Sequence, residues 1–304
     1  KPCINCLIGC IDRGMLSHTP IHCTVNPSLY RFECKPVEKA ETRKQVAVVG
    51  AGPAGCEAAL TASKRGHQVT IYEKRCIGGA MIEASKPENK ANIKRLIHYY
   101  EDHIMHDPNI TLVKEEVEYE TLVHSGYDAV IIAVGGKTRI LNVPGIEKNS
   151  VIYASDYLNG STAVTGNTVV VIGGGITGAE TALELNAEGK KVTIVEMTDA
   201  FLANFSSACQ AYLATINETD IKILTGKRLT AVHENNVILT DRWGNETTVP
   251  ADSVVIAAGF TRQNELSDKL EENTDMQVFN VGDSKRVRQI YDAIHEGFIA
   301  ARQI

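Results

Sequence analysis

One glycine-rich unit occurs twice in this chain: VAVVGAGPAGCEAALTASKRGHQVTIYEK at residues 46–74 and VVVIGGGITGAETALELNAEGKKVTIVEM at residues 169–197. Each copy predicts a buried strand, a tight turn, a helix and a second strand. An acidic residue closes each second strand, because Glu73 lies 23 residues after Gly50 and Glu196 lies 23 residues after Gly173. The repeat therefore predicts two Rossmann-like βαβ units.

The three glycines of the G-x-G-x-x-G pattern have separate tasks. The first permits the tight turn, the second lets a pyrophosphate approach the backbone, and the third allows close helix–strand packing. The helix N-terminus then receives the phosphates, and the acidic residue accepts hydrogen bonds from a ribose. The glycines are Gly50, Gly52 and Gly55 in the first copy and Gly173, Gly175 and Gly178 in the second. Both copies are predicted to bind a dinucleotide, and the alternative is that the glycines serve only close packing.

A further strand follows each unit at a matching distance. The stretch YDAVIIAVGG places Gly135 85 residues after Gly50, and DSVVIAAGF places Gly259 86 residues after Gly173. Each strand is expected to return to the sheet of its own unit and to bring its terminal glycine close to the bound nucleotide. A plain buried strand is the alternative.

The C-terminal segment, MQVFNVGDSKRVRQIYDAIHEGFIAARQI, predicts a short strand, the pair Gly282-Asp283 and a helix from about Gln289. An aspartate at the end of a strand can bond a ribityl hydroxyl. The N-terminus of the following helix would favour the negative charge of a reduced flavin. The alternative is that Asp283 is only the N-cap of that helix.

Four of the eight cysteines lie within the first 23 residues, with the spacing C-x2-C-x3-C-x12-C. This spacing could hold an iron–sulfur cluster or a zinc ion, or it could form two disulfides. Zinc sites more often have two C-x2-C pairs, and this segment has one, which favours a cluster. Cys34 is a possible substitute ligand. So few cysteines in a chain of this length indicate a reducing, cytoplasmic setting.

The bulk composition bounds the class of protein. A chain of 304 residues can form two domains, and 43% hydrophobic with 22% charged residues is typical of soluble globular proteins. A net charge of −6 argues against a nucleic-acid partner. No apolar run approaches the roughly 20 residues that cross a membrane. Because the chain begins at Lys1 without Met, we expect it to be a piece of a longer polypeptide. Its oligomeric state, homo-oligomer included, is left open.

These motifs together resemble a known family. In order, CINCLIGCIDR…IHCTVNP, VAVVGAGPAG, GGAMIEASKP, VVVIGGGITG and VGDSKRVRQIYDAIHEGFIAA are similar to the C-terminal half of the old-yellow-enzyme-like NADH:flavin oxidoreductases. That family contains 2,4-dienoyl-CoA reductase, trimethylamine dehydrogenase and the clostridial enoate reductases. The resemblance covers essentially the whole chain, and the combination is more specific than either glycine motif alone.

The resemblance implies an α/β fold with two Rossmann-like dinucleotide-binding domains, the two-dinucleotide-binding flavoprotein fold, after a short iron–sulfur segment. The cluster segment and linker would occupy residues 1–43. A discontinuous FAD domain would occupy residues 44–151 and 261–304, and an inserted NAD(H) domain residues 152–260.

The resemblance also implies site residues, none of them assigned as catalytic. The FAD residues are Gly50, Ala51, Gly52, Pro53, Ala54, Gly55, Glu73, Lys74, Gly79, Ala133, Gly135, Gly282, Asp283 and Ile290. The NAD residues are Gly173, Gly174, Gly175, Ile176, Thr177, Gly178, Glu196 and Gly259. The [4Fe–4S] ligands are Cys3, Cys6, Cys10 and Cys23. The carboxylate of Glu196, with no Arg or Lys from Met197 to Ser207, favours NADH over NADPH.

The implied function is that of an NADH:flavin oxidoreductase of the ene-reductase family. NADH would give a hydride to FAD, and FAD would pass single electrons to the cluster. The cluster would reduce FMN in an N-terminal (β/α)8 barrel of the same polypeptide, which reduces an activated alkene such as an enoyl or dienoyl substrate. This chain would be the electron-input module.

Three alternatives remain open. As in trimethylamine dehydrogenase, the chain could be a structural module that holds ADP or FAD and uses no nicotinamide. A disulfide reductase would need a cysteine pair beside the flavin, whereas Cys76 and Cys209 each stand alone in the sequence. The small-subunit type of glutamate synthase joins iron–sulfur clusters to two nucleotide units but carries more cysteines.

Overall fold

A computed structural model describes residues 1–29, 36–203 and 206–304 of the chain. The chain forms two compact units, one of residues 1–137 with 261–304 and the other of residues 138–260. The predicted inserted domain was expected to begin at residue 152, but the second unit begins at Thr138. The reason is packing, since Leu141, Val143 and Ile146 contact a core cluster of the second unit.

The first unit contains a five-stranded parallel sheet. Before the chain enters the second unit its elements are β1 Gln45–Val49, α1 Pro53–Arg65, β2 Gln68–Tyr72, α2 Met81–Ala84, α3 Ala91–Met105, β3 Ile110–Val113, α4 Tyr119–His124, β4 Ala129–Ile132 and β5 Gly136–Thr138. The second unit adds β6 Val151–Tyr153, α5 Ala154–Leu158, β7 Thr168–Ile172, α6 Ile176–Ala187, β8 Lys191–Val195, α7 Ser207–Asn217, β9 Lys222–Leu224, β10 Lys227–Val232, β11 Asn236–Asp241, β12 Glu246–Pro250 and β13 Ser253–Ile256. The chain returns to the first unit in β14 Phe260–Arg262 and finishes that unit with α8 Glu265–Asn273, β15 Gln277–Asn280 and α9 Ile290–Gln303.

The sheet of the first unit has the order β15-β4-β1-β2-β3. Strand β1 is buried from Val46 to Val49, as expected of a parallel strand covered on both faces. Its side chains alternate between two cores: Val46 and Val48 pack with α1, α3 and α9, whereas Ala47 and Val49 pack with α4 and α8. The predicted strand of YDAVIIAVGG is β4, which pairs in parallel with β1.

The second unit repeats this sheet with the order β6-β13-β7-β8-β9 and covers it differently. One face packs against α6 and α7. The other face packs against an antiparallel sheet of β10, β11 and β12. Strands β11 and β12 form a hairpin around the WGN turn at residues 243–245, and Val237 pairs with Val249 across it. The predicted fold class is confirmed, because both glycine units lie in parallel α/β sheets.

Helix length and hydropathy do not support a membrane span in residues 1–29, 36–203 or 206–304. The longest helix among these residues is α3, with 15 residues, whereas roughly 20 apolar residues are needed to cross a bilayer.

Candidate functional site

The first glycine turn lies at the carboxyl end of β1. Gly50 has φ 99°, a conformation that favours glycine, and a Cβ placed on it would lie 2.4 Å from the carbonyl oxygen of Ala133. A Cβ on Gly55 would lie 1.9 Å from the carbonyl oxygen of Gly50. The turn therefore closes between β1 and β4 only if both positions lack side chains. The packing alternative holds for Gly55, since no ligand is needed to explain it.

Gly52 has a different environment from Gly50 and Gly55. It is the N-cap of α1, supplies no side-chain cap, and would place a Cβ no closer than 3.9 Å to another residue. The first N–H groups of a helix lack partners within the helix and attract anions. The fold would therefore tolerate a side chain at Gly52. The glycine instead keeps the N-terminus of the helix accessible.

Gly79 lies against the same helix N-terminus. It has φ 53°, and a Cβ on it would lie 2.8 Å from the Cα of Gly52. The turn is held there because the N–H of Gly78 donates to the carbonyl oxygen of Ala51 at 2.8 Å. The start of α1 is thus bordered by backbone on two sides, which suits the close approach of a pyrophosphate.

The carboxylate of Glu73 is tied to this turn. Its Oε2 accepts the N–H of Ala51 at 2.7 Å, and its Oε1 accepts the N–H of Arg75 at 2.7 Å. The side chain is thereby fixed at the end of β2, and each oxygen can accept a further hydrogen bond from a ribose. Lys74 instead points to solvent and pairs with Glu116 at 2.7 Å.

A cavity of about 180 Å³ lies beside Glu73. Its lining combines apolar and charged side chains, namely Glu73, Arg75, Cys76, Ile77, Glu101, Met105, Leu112 and Lys114. Apolar side chains together with a carboxylate can receive an adenine and its ribose. A larger open depression of about 440 Å³ lies around Ser63, Asp102 and His106 and contains none of the predicted site residues.

The second glycine turn has the same geometry. A Cβ on Gly173 would lie 2.4 Å from the carbonyl oxygen of Ala257, and one on Gly178 would lie 1.9 Å from the oxygen of Gly173. Glu196 Oε2 accepts the N–H of Gly174 at 2.7 Å, and its Oε1 accepts the N–H of Thr198 at 2.7 Å. The two units therefore match in backbone clearance and in carboxylate anchoring, beyond their matching sequence spacing.

The other predicted residues of the second turn follow the first copy. Gly175 is the N-cap of α6, and Ile176 and Thr177 begin that helix. The terminal glycines of the two returning strands, Gly135 and Gly259, each face open space where a Cβ would stand.

The predicted flavin-contacting tail places Asp283 after β15. Asp283 Oδ1 accepts the N–H of Arg288 at 2.9 Å, and burial raises the pKa of its carboxyl group. The alternative that Asp283 caps α9 is wrong: the helix begins at Ile290, and its N-cap is Gln289 in a capping box with Asp292. The intervening residues form a separate turn, which leaves Asp283 at the strand end.

Sequence reasoning missed Glu296 and Arg288 at this position. Glu296 Oε2 accepts the N–H of Gly282 at 2.8 Å, and its other oxygen pairs with the Arg288 guanidinium. Arg288 also pairs with Asp292 at 3.3 Å. The i, i+4 spacing of Arg288 and Asp292 was a usable signal, whereas the contact of Glu296 with Gly282 depends on how α9 packs.

The cysteine segment, residues 1–29, forms a π-helical stretch at Ile8–Leu16 and then folds back on it. The N–H of His22 donates to the carbonyl oxygen of Gly9 at 2.7 Å. Because Gly9 precedes Cys10 and His22 precedes Cys23, this bond brings the backbone at the two cysteines together. Cys6 Sγ donates to Thr24 Oγ1 at 3.0 Å, and burial raises the pKa of the Cys6 thiol.

The four predicted ligands are all free thiols. Cys6 and Cys23 are half-buried against the core of the first unit, and Cys3 and Cys10 are exposed. Four unbridged thiols have the donor chemistry of an iron–sulfur site. Within the described parts of the chain, however, no three His, Cys, Asp or Glu side chains form a group that could hold a metal ion. The disulfide alternative finds no support in these residues, and Cys34 lies outside the described residues.

Comparison with known proteins places the chain in a family. The sequence matches the pyridine nucleotide-disulphide oxidoreductase family over residues 44–297, and the chain belongs to that family. This family of oxidoreductases uses FAD and NAD(P)H, and the matched residues include both glycine turns.

Two curated relatives match along the whole chain. An NADH oxidase of Thermoanaerobacter brockii is 35% identical over 100% of this chain and 48% of its own length. A cinnamate reductase of Clostridium sporogenes is 31% identical over 100% of this chain and 46% of its own length. The chain spans about half the length of the curated relatives it matches.

A solved structure of a 2-naphthoyl-CoA reductase matches 99% of this chain and 46% of its own, at 30% identity with a TM-score of 0.88. The resemblance drawn from the sequence motifs is confirmed, because the chain corresponds to the C-terminal half of larger proteins of the ene-reductase type.

Proposed function

We propose that this chain is the electron-input half of a larger NADH-dependent flavin and iron–sulfur oxidoreductase of reducing, cytoplasmic surroundings. The observation that carries the proposal is the pair of matched glycine turns, each with a carboxylate hydrogen-bonded to the backbone of its own turn. When bound, FAD would take a hydride from NADH and release single electrons, and a [4Fe–4S] cluster would accept electrons one at a time.

In this proposal the first unit holds FAD. The N-terminus of α1 would receive the pyrophosphate between Gly52 and Gly79, and Glu73 would accept hydrogen bonds from the adenosine ribose. The cavity beside Glu73 would take the adenine. Asp283 would bond the ribityl chain, and burial raises the pKa of its carboxyl group.

The second unit would hold NADH. Gly175 would admit the pyrophosphate at the N-terminus of α6, and Glu196 would bond the ribose hydroxyls. The carboxylate of Glu196 would repel the 2′-phosphate of NADPH, so NADH is the expected donor. Arg242, between β11 and β12, is a cation that could attract a 2′-phosphate. It pairs with Asp199 at 3.3 Å, and this partly neutralises its charge.

The four cysteines Cys3, Cys6, Cys10 and Cys23 would hold the cluster. Support comes from their free thiols and from the backbone bond that pairs His22 with Gly9. Binding would require the exposed thiols of Cys3 and Cys10 to turn toward Cys6 and Cys23.

A partner surface lies on the same segment. Five large apolar side chains within fifteen residues are exposed, namely Leu7, Ile11, Met15, Leu16 and Ile21. Exposed apolar groups concentrated in this way mark interaction surfaces. We assign this surface to the other half of the full-length protein. By its resemblance that half is an FMN barrel, and it would reduce an activated alkene of the enoyl class. The names cinnamate reductase and 2-naphthoyl-CoA reductase point to this substrate class.

The test is an anaerobic absorbance spectrum of the 304-residue chain before and after stoichiometric NADH, with NADPH as the matched control. A flavin double band and a broad visible shoulder, both bleached by NADH faster than by NADPH, are expected. A preparation that binds FAD but is not bleached by either nucleotide would favour the structural module instead. A chain that stays colourless after incubation with FAD, iron and sulfide would refute the proposal.

A further inference from the structure

The cysteine segment is fastened to the first unit near both of its ends. Its apolar residues Ile4 and Val25 are buried in the same core cluster as β1 and α1. Apolar contact alone does not fix a loop that carries so many exposed residues. Two buried polar groups of the first unit, Glu57 on α1 and His295 on α9, supply directional contacts.

The anchor near the start of the segment is an ion pair. The Glu57 side chain is only 3% exposed, and its two oxygens lie 2.6 and 2.5 Å from the Nζ of Lys1. Tyr100 on α3 donates its hydroxyl to the same carboxylate at 3.0 Å. Burial, followed by the Glu57 charge, raises the pKa of Tyr100, which keeps its hydroxyl protonated as a donor. A buried carboxylate needs such partners, so Glu57 holds Lys1 two residues before Cys3.

The anchor near the end of the segment is a histidine. His295 is 3% exposed, and its Nε2–H donates to the carbonyl oxygen of Cys23 at 2.9 Å. The ring of Tyr291, one turn earlier on α9, stacks on His295 with centroids 4.0 Å apart. A hydrogen bond of 3.1 Å joins the Tyr291 hydroxyl to His22 Nδ1. Two successive residues of the segment are thus held by one face of α9.

The two anchoring helices are themselves in close backbone contact. A Cβ placed on Gly297 of α9 would lie 2.1 Å from the carbonyl oxygen of Ala54 on α1. Ala54 follows directly after the N-terminal residue of α1, beside the predicted pyrophosphate site. Any residue fastened to this helix pair is therefore fixed relative to the first glycine turn.

We propose that Glu57 and His295 are positioning residues that dock the four-cysteine segment on the α1–α9 pair and fix its distance from the nucleotide site. The inference rests on the proposed function in taking these cysteines as ligands. The docking itself involves only contacts between residues of the protein and can be measured without a cluster.

The experiment is hydrogen–deuterium exchange of the 304-residue chain as purified, with iron content measured on the same samples. His295→Leu removes the donor to Cys23, and His295→Gln keeps a donor at a similar reach. Tyr291→Phe removes only the hydroxyl that is hydrogen-bonded to His22. It is a milder second variant that still tests the docking if His295→Leu does not fold. Glu57→Gln removes the charge that faces Lys1 and keeps an acceptor for Tyr100.

Loss of one buried hydrogen bond should speed local exchange about tenfold. We expect this in residues 18–29 for His295→Leu, to a smaller extent for Tyr291→Phe, and near wild-type exchange for His295→Gln. Glu57→Gln should speed exchange in the first residues of the chain. Peptides of the second unit should be unchanged in every variant. Iron content should fall with His295→Leu while bound FAD is retained.

Unchanged exchange of residues 18–29 in both His295→Leu and Tyr291→Phe would overturn the inference. A wild-type chain that binds no iron would instead refute the cluster assignment of the proposed function. The exchange comparison would still decide whether these residues dock the segment.

Discussion

Gly175 separates the requirements of folding from those of nucleotide binding, because the fold tolerates a side chain at this position and a bound pyrophosphate would not. Its φ of −81° and ψ of −175° are extended backbone that alanine adopts readily. A Cβ placed there would meet no atom within 4 Å. Gly175→Ala should therefore leave the fold intact while placing a methyl group where the pyrophosphate must approach.

The expected stability change is small because two effects oppose each other. Alanine is a poorer N-cap than glycine, at a cost of roughly 0.5–1 kcal/mol. Replacing glycine also reduces the entropy of the unfolded chain, which returns about 0.4–1 kcal/mol. The free energy of unfolding should therefore change by less than about 1 kcal/mol. For NADH, displacement of the phosphates by a methyl group should cost about 1.4–2.8 kcal/mol, or tenfold to a hundredfold in Kd.

The matched control is Gly178→Ala, three residues further along the same motif. Its Cβ would lie 1.9 Å from the carbonyl oxygen of Gly173, a backbone atom that cannot move without opening the turn. Overpacking of this kind should cost about 3 kcal/mol or more in stability. The two alanines thus separate a glycine required by the ligand from one required by the fold.

The assay combines NADH titration, chemical denaturation and measurement of bound FAD. Gly175→Ala should lose NADH affinity at wild-type stability, and FAD content should be unchanged because the FAD residues belong to the other unit. The reasoning fails if Gly175→Ala binds NADH as tightly as the wild type. It also fails if Gly175→Ala unfolds as readily as Gly178→Ala.

Three further predictions follow from single side chains. Glu196→Gln keeps an acceptor for the Gly174 N–H but loses the charge, so the preference for NADH over NADPH should fall about tenfold in steady-state rates. Burial raises the pKa of Asp283 in the folded chain, so the free energy of unfolding should fall as the pH rises through that raised pKa. Asp283→Asn should remove this fall in denaturation curves measured from acid to neutral pH. Cys76 is exposed and should be alkylated by a maleimide in the native chain, whereas Cys56, whose pKa is raised by burial, should react only after unfolding, as mass spectrometry would show.

The parts of the fold that the sequence could predict are those encoded locally. The strand, glycine turn, helix and acidic residue of each unit lie within about thirty positions and carry their own constraints, such as the contact of Gly55 with Gly50. Apolar runs buried on both faces predicted the parallel strands for the same reason.

What the sequence could not predict depends on distant packing. The start of the inserted domain is one example: the sequence predicts residue 152, whereas the second unit begins at Thr138. The loop around Val143 packs into the core of the second unit, and nothing in the composition of that loop indicates this packing. Glu57 on α1 and Glu296 on α9 have no local signal that separates them from ordinary surface charges. Their partners, Lys1 and Gly282, are distant in the sequence and are identified only in the folded chain.

The two copies differ at the position where α9 packs against the first helix. At the second residue of the helix after the glycine turn, the first copy has Ala54 and the second has Thr177. Ala54 lets α9 approach until Gly297 meets its carbonyl oxygen, and Gly282 lies beside its Cβ. A longer side chain at residue 54 would meet Gly282, where an added Cβ would lie 3.1 Å from the Cβ of Ala54. The small residue at this position is therefore compatible with the close packing of the first turn, and α9 in turn supplies the face to which His22 and Cys23 are held.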